Sequence, residues 1–420
     1  MDSARPRVLA VLPGFFPSTI IGVAKPLLRL HLQGHITLDL TLQFLAGRHA
    51  VARADVVVLC REIHPKFARV TAWAKQLGRP LVYEIDDNLI DVPPEIPGLD
   101  YLRRPAHRAA ILDAIKQADI VRVYSESLRQ LLLTYNPNVS LVSGPLDWSL
   151  VPPPPAKDAT RVRLVYATSR QHDGIGQMLV RPLQRVLEQF EHAHLTIWGP
   201  RIASLSAHPR VNHLPFIRDY DQFFSRFAGE GFDVGLAPLP DDLFHRCKSN
   251  NKFREYASCG VAGVYSDMPV YNTCVVNGET GLLAGDSEDA WFDAIAQLVT
   301  DQGLRDRIAA AARQFARDHY NEAITDAEWL GALLPLARRP APLAASHSAV
   351  PLQEPIATAR GVVGHAADLA SRVLPMLRHR GVRETWRGAQ GHVAGIAQLT
   401  MWQLHKRRLE RQARHSHQHS

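Results

Sequence analysis

Residues 248–255 hold two lysines, two helix-capping side chains and a carboxylate: Lys248, Ser249, Asn250, Lys252 and Glu255. The stretch lies between two apolar runs, 234–239 and 260–266. Ser249 or Asn250 can cap a helix that runs to about Cys259 and stops at Gly260. The start of such a helix attracts anions, because its free backbone N–H groups and its dipole favour negative charge. Lys248 and Lys252 bracket that start, and Glu255 follows Lys252 by three residues on the same face. Cations for a diphosphate beside a carboxylate for ribose hydroxyls are what a nucleotide-sugar pocket needs. The competing reading is a surface helix with solvated lysines.

Such a pocket needs elements to hold it. Strand and helix alternate in the first half, with strands at 7–12, 54–60, 80–85 and 119–125. A loop at 13–22 and helices at 23–33, 66–77, 104–117 and 126–135 connect them. Val56-Val57-Val58-Leu59 is apolar on both faces, which implies parallel strands covered by helices. Pro152-Pro153-Pro154-Pro155 makes a stiff spacer. Beyond it the alternation restarts, with strands at 163–167, 193–198, 210–216, 232–239, 260–266 and 281–284. Helices at 176–190, 220–228, 250–259, 288–300 and 303–319 separate most of these.

The pattern predicts an α/β fold of two Rossmann-like, doubly wound domains with a cleft between them. The first domain covers 1–150, a proline-rich linker 151–160, and the second domain 161–320. A closing helix of the core follows at 321–336, then a flexible Pro/Ala/Ser-rich connector at 337–358 and a basic, helical tail at 359–420. Helices at 359–377 and 391–409 are expected within that tail.

A length of 420 residues suits two or three domains, and 46% hydrophobic content supports sizeable cores. Four scattered cysteines without a CxxC pair suit a reducing cytosol. The apolar run 8–12 is cut short by Pro13-Gly14, so it reads as a strand rather than a signal peptide. No window approaches a membrane span.

The net charge of +7 is concentrated in the tail, where residues 360–420 carry eleven Lys+Arg against three Asp+Glu. The remaining body is near neutral, which argues against a nucleic-acid partner. The tail itself reads as a loose appendage, a basic amphipathic element on anionic lipid, or a partner-binding helix pair. His415, His417 and His419 lie at what reads as a frayed end. No GxGxxG, Walker loop or HExxH occurs, and His208, His213 and His245 are too far apart in the chain to argue for a metal cluster.

Ligands of open parallel sheets bind at the carboxyl ends of the strands. Residues 168–173, 198–200, 216–221 and 239–242 occupy those ends in the second half. With "FDVGLAPLPDDLFHRCKSNNKFREYASCGVAGVYSD" (232–267) and "VVNGETGLLAGDSEDAWFDAIAQLVTD" (275–301), residues 160–320 resemble the nucleotide-binding half of GT-B glycosyltransferases of the family 4-like group (group 1). The first half resembles the matching acceptor domain, with Gly14 and Gly22 in the loop after the first strand counted among the donor-binding residues. The resemblance covers most of 5–335 and does not explain the tail.

The resemblance implies roles residue by residue. Glu255 matches the second of two glutamates eight positions apart, which holds the ribose hydroxyls; the first would fall at 247, where this chain has Cys247. Lys248 can take over a donor contact there. Arg170 matches the diphosphate arginine, while Lys248 or Lys252 replaces the usual lysine, and Ser249 lies beside them. Backbone groups around Ile217 are placed to read the base. His172 with Asp173 is the candidate for chemistry at the sugar, since a histidine can donate near neutral pH; a loop histidine capping a carbonyl is its structural reading. Asp86 and Asp87 end a first-domain strand and suit acceptor-hydroxyl binding, a catalytic base, or simple loop capping. A divalent-metal reading of that pair is set aside, because the resembled class works without one. Lys25 can reach a phosphate or stay solvated.

The implied activity is transfer of a sugar from a nucleotide diphosphate sugar to a glycan or lipid-linked acceptor in polysaccharide biosynthesis, with retained configuration, no metal and no further cofactor. A cytoplasmic location is expected, with the tail resting on the inner face of the cytoplasmic membrane. The alternatives are a sugar-nucleotide epimerase or donor hydrolase, and a non-catalytic carbohydrate-binding scaffold whose degenerate core is marked by Cys247.

Overall fold

The computed structural model of the chain describes residues 5–61, 64–96, 98–158, 160–168, 175–339 and 382–418, the side chains of 382–392 and 415–418 excepted. Parallel strands β1 (Arg7–Leu12), β2 (Thr37–Leu42), β3 (Val56–Cys60), β4 (Leu81–Glu84), β5 (Ile120–Val123) and β6 (Val139–Leu141) form one sheet, in the order β2-β1-β3-β4-β5-β6. The second sheet contains β7 (Val162–Ala167), β8 (Ala193–Trp198), β9 (Val211–Leu214), β10 (Val234–Ala237), β11 (Ala262–Ser266) and β12 (Leu282–Ala284), in the order β12-β11-β10-β7-β8-β9. Every residue of β3, β10 and β11 is buried, as expected of strands covered by helices on both faces. Strand order reverses between β1 and β3 and between β7 and β10. Those reversals open the crevices in which doubly wound sheets bind ligands.

Two strands escaped the sequence reading. β2 alternates buried and exposed positions around Asp39, and β6 spans only three residues. The first helix also begins earlier than the expected 23–33. Pro17 opens it, where its missing N–H costs nothing. A π-turn at Ile20–Ala24 carries the chain into the helical segment Lys25–Leu32. Gly22, expected in a loop, therefore stands inside a helix.

Two later segments return to the first domain. The Glu322–Ala337 helix packs Trp329, Leu333 and Leu336 into the apolar cluster under β1, β2 and β3. Asp326 on that helix takes a two-pronged contact from Arg29, with N–O distances of 2.6 to 2.9 Å. The Val382–Gln418 helix extends beyond the expected 391–409 and lies along β2, the edge strand. Leu399 joins the same cluster, and Lys406 Nζ donates to the Leu38 carbonyl. His31 Nε2 lies 2.7 Å from Glu410 Oε1. A cation on an edge carbonyl and a helix along the strand both block pairing with another chain. The expected 337–358 connector and 359–377 helix lie largely or wholly outside the described residues.

Trp329 is fully buried, and its Nε1 donates to Gly22 O at 3.3 Å. Trp329→Ala should cost about 3–5 kcal/mol in denaturant unfolding. A loss well under 1 kcal/mol would show that the returning helix does not stabilise the first domain.

Candidate functional site

A cleft of about 410 Å³ separates the two sheets, a volume typical of small-molecule sites. Its second-domain wall is built from the carboxyl ends of β7 and β10 and the Asn251–Ser258 helix; its first-domain wall comes from the helix opened by Pro17 and the segment after β4. Lys248, Ser249, Lys252, Glu255 and Ile217 line it from one side, Gly22, Asp86 and Asp87 from the other. Gly14 does not line the cleft, and a Cβ there would meet only the Phe16 ring at 3.5 Å. Arg170, His172 and Asp173 lie outside the described residues.

Asn250 stands at the N-cap position of the Asn251–Ser258 helix but makes no side-chain cap. Its amide instead donates to the Tyr320 hydroxyl at 2.7 Å. The first turn of the helix therefore has no side-chain cap from Asn250. Lys252 Nζ contacts Glu255 Oε2 at 2.7 Å, and the Tyr220 hydroxyl donates to Glu255 Oε1 at 3.3 Å. Lys248 Nζ reaches across to Asp87 Oδ1 at 3.0 Å. Lys25 does not line the cleft; it bridges Asp147 and Asp221 at 2.7 Å each. Burial works against its charge, but those two carboxylates outweigh it and raise its pKa.

Arg61 was not singled out from the sequence, yet it organises the first-domain wall. It follows β3 in left-handed backbone, with φ of 59°. A non-glycine residue held there costs about 1–3 kcal/mol. Its N–H donates to Glu84 O at 2.7 Å and its carbonyl accepts from the Tyr83 hydroxyl, which fixes the turn. The guanidinium so aimed pairs with Asp86, approaches Asp87 at 3.6 Å and donates to Ser18 Oγ at 3.2 Å. Burial raises the Asp86 pKa, with Arg61 opposing and Asp87 adding to the rise. Tyr124 and Arg254 are further cleft residues that the sequence did not mark, while the half-exposed Phe216 and Arg218 line the cleft beside Ile217, in the stretch expected to read the base. Arg254 Nη1 donates to Pro145 O at 2.7 Å and so ties the Asn251–Ser258 helix to the chain crossing between domains. The signal that could have found Arg61 is its place after β3, at the strand-order reversal.

Cys247 does not face the cleft. The Leu243–Arg246 helix, unforeseen in the sequence, turns Phe244 and Cys247 into the first domain's apolar cluster. Ser125 Oγ donates to the Cys247 carbonyl at 2.9 Å, and burial pushes the thiol pKa up to about 12. The position expected to hold a sugar-binding glutamate thus serves as an apolar contact between domains.

Residues 170–327 match a protein family described as "Glycosyl transferase-like". Among curated proteins, none matches the sequence significantly. The fold is shared with Anabaena HepE in complex with UDP-glucose, at 14% identity and a TM-score of 0.59, over 79% of this chain and 100% of that one. It is shared with a Rickettsia africae glycosyltransferase, at 12% identity and a TM-score of 0.58, over 80% and 100%. Sucrose-phosphate synthase from Thermosynechococcus elongatus matches at 14% and a TM-score of 0.57, over 78% and 98%. The two-domain GT-B fold expected from the sequence is the fold of this chain.

Cys247→Glu should not supply the missing sugar contact. It would put a carboxylate among apolar side chains and lower stability by at least about 2 kcal/mol. Unchanged thermal stability would mean that residue 247 can turn into the cleft.

Proposed function

We propose that the chain is a glycosyltransferase that moves a sugar from a nucleotide diphosphate sugar to a hydroxyl acceptor, a glycan or a lipid-linked saccharide in polysaccharide biosynthesis. One observation carries the reading: Lys248, Lys252 and Glu255 line an interdomain cleft within the segment that matches the glycosyl transferase-like family. Lys248 and Lys252 supply charge for the diphosphate, and Glu255 supplies a carboxylate for the ribose. HepE's complex with UDP-glucose makes UDP sugars the first donors to try.

The second domain holds the donor and the first holds the acceptor, near Asp86 and Asp87. Cations at the diphosphate stabilise the charge that develops as it leaves. Retention follows if the acceptor attacks from the face that the diphosphate leaves, with the diphosphate taking the acceptor proton. Arg170, His172 and Asp173 belong to this proposal on sequence grounds. Neither a metal nor a further cofactor is assigned a step.

Glu255→Ala should lower turnover at least about a hundredfold, since a charge-assisted hydrogen-bonding partner is lost at the donor. Lys248→Ala and Lys252→Ala should each cost about tenfold or more in kcat/KM, measured with a panel of nucleotide sugars. Wild-type rates in all three variants would remove the assignment.

A second reading is a carbohydrate-binding scaffold, favoured by the turn of Cys247 away from the cleft. Calorimetry would then give nucleotide-sugar binding without turnover. A sugar-nucleotide epimerase or hydrolase would form product without acceptor.

The tail adds a proposed location at the cytoplasmic face of an anionic membrane. Val393, Met401 and Leu404 expose an apolar stripe, and Arg407, Arg408, Arg411 and Arg414 are exposed on the same helix. That combination suits anionic lipid, each basic residue contributing about 1 kcal/mol near the surface. Sedimentation with phosphatidylserine vesicles should fall when residues 382–420 are deleted and when salt is raised; equal sedimentation of both proteins would contradict it.

A further inference from the structure

Tyr124 lines the cleft on the first-domain side, and its orientation is set from behind. Its hydroxyl donates to Glu84 Oε1. The other carboxylate oxygen, Oε2, accepts from Arg122 Nε at 2.8 Å. Glu84 and Arg122 are both about 2% exposed. The Arg122 guanidinium lies 3.9 Å over the Trp329 ring and donates to Glu328 O at 3.1 Å. Trp329 in turn holds the Gly22 carbonyl. A Cβ at Gly22 would come within 2.9 Å of the Tyr124 hydroxyl, so glycine leaves room for that phenol beside the cleft. The chain of contacts runs from the returning helix, through a buried ion pair, to one hydroxyl on the ligand wall.

We propose that Glu84 is a positioning residue that decides whether the Tyr124 hydroxyl donates into the cleft or only accepts from it. The proposal rests on the nucleotide-sugar reading of the same cleft. With Glu84 ionised, the phenolic O–H is committed to the carboxylate, and Tyr124 offers a ligand only lone pairs. With Glu84 neutral, the carboxyl proton can bond the phenolic oxygen, and the phenolic O–H turns toward a diphosphate or sugar oxygen. No covalent bond is made or broken.

Burial raises the Glu84 pKa to about 7, with Arg122 opposing the rise and the Asp86 and Glu328 carboxylates adding to it. Arg122, Tyr124, Asp86 and Glu328 are the charged or titratable groups that face it. The exchange therefore falls in the neutral range. A carboxyl raised on folding contributes stability below its unfolded pKa, and that stability is lost as pH rises through about 7.

The test is calorimetric binding of UDP-, GDP- and ADP-glucose between pH 6 and pH 8, a range in which their diphosphates do not titrate. Wild-type affinity should fall about five- to tenfold as pH rises, because a hydrogen bond to charge is withdrawn. Tyr124→Phe should bind weakly with no such slope. Glu84→Gln should hold near the low-pH affinity throughout, and its melting temperature should not show the wild-type decline between pH 5 and pH 8. A slope that survives in Tyr124→Phe, or wild-type binding that is flat with pH, would overturn the proposal while leaving the nucleotide-sugar reading intact. Failure of every probe to bind the wild type would overturn both.

Discussion

Lys248 meets Asp87 across the cleft at 3.0 Å, and the remaining features of the site depend on that pairing of charge. Lys248 and Lys252 stand near a helix start that favours anions, and each is met by a carboxylate. Asp87 covers one and Glu255 the other. Arg61 in turn balances Asp86 and leans on Asp87. Three cations, Lys248, Lys252 and Arg61, thus face three carboxylates, Asp86, Asp87 and Glu255, and on the proposed function a diphosphate would exchange with carboxylates at the two lysines. Such an exchange costs less than stripping water from isolated lysines, and it couples ligand entry to contacts between domains.

The architecture serves this pairing. Both strand-order reversals place their carboxyl ends on the cleft, which brings Arg61 and the segment from Glu84 to Asp87 opposite residues 248–255. The Leu243–Arg246 helix docks Phe244 and Cys247 on the first domain, so Lys248 starts from a fixed base. From the other side, the Glu322–Ala337 helix anchors in the first domain and supports the Arg122–Glu84 pair behind the wall.

Much of this was legible in the sequence. Strands of the second half were readable because Gly and Pro bound their apolar runs, and β8 matches its expected span residue for residue. The helix expected at 288–300 forms over Glu288–Thr300, and Ser287 at its start accepts from Ala290 N. Local patterns failed where tertiary contacts decide. Asn250 looks like a cap, but Tyr320, seventy residues on, takes its amide. Thr37–Leu42 carries an exposed Asp39 and reads as polar until the tail helix and β1 flank it. The direction of Cys247 depends on which surface the preceding helix meets, and Arg61 gains its role from a backbone turn that no residue pattern near it announces. The positions of residues 248–255 followed from chain order alone; their partners did not.

On the proposed function, a diphosphate takes the place of Asp87 beside Lys248. A crystal structure with a non-hydrolysable nucleotide sugar tests this most directly. Diphosphate oxygens should lie within hydrogen-bonding distance of Lys248 or Lys252, with the Lys248–Asp87 contact broken. A nucleotide sugar bound in the cleft with that contact still closed and both lysines remote from phosphate would contradict it.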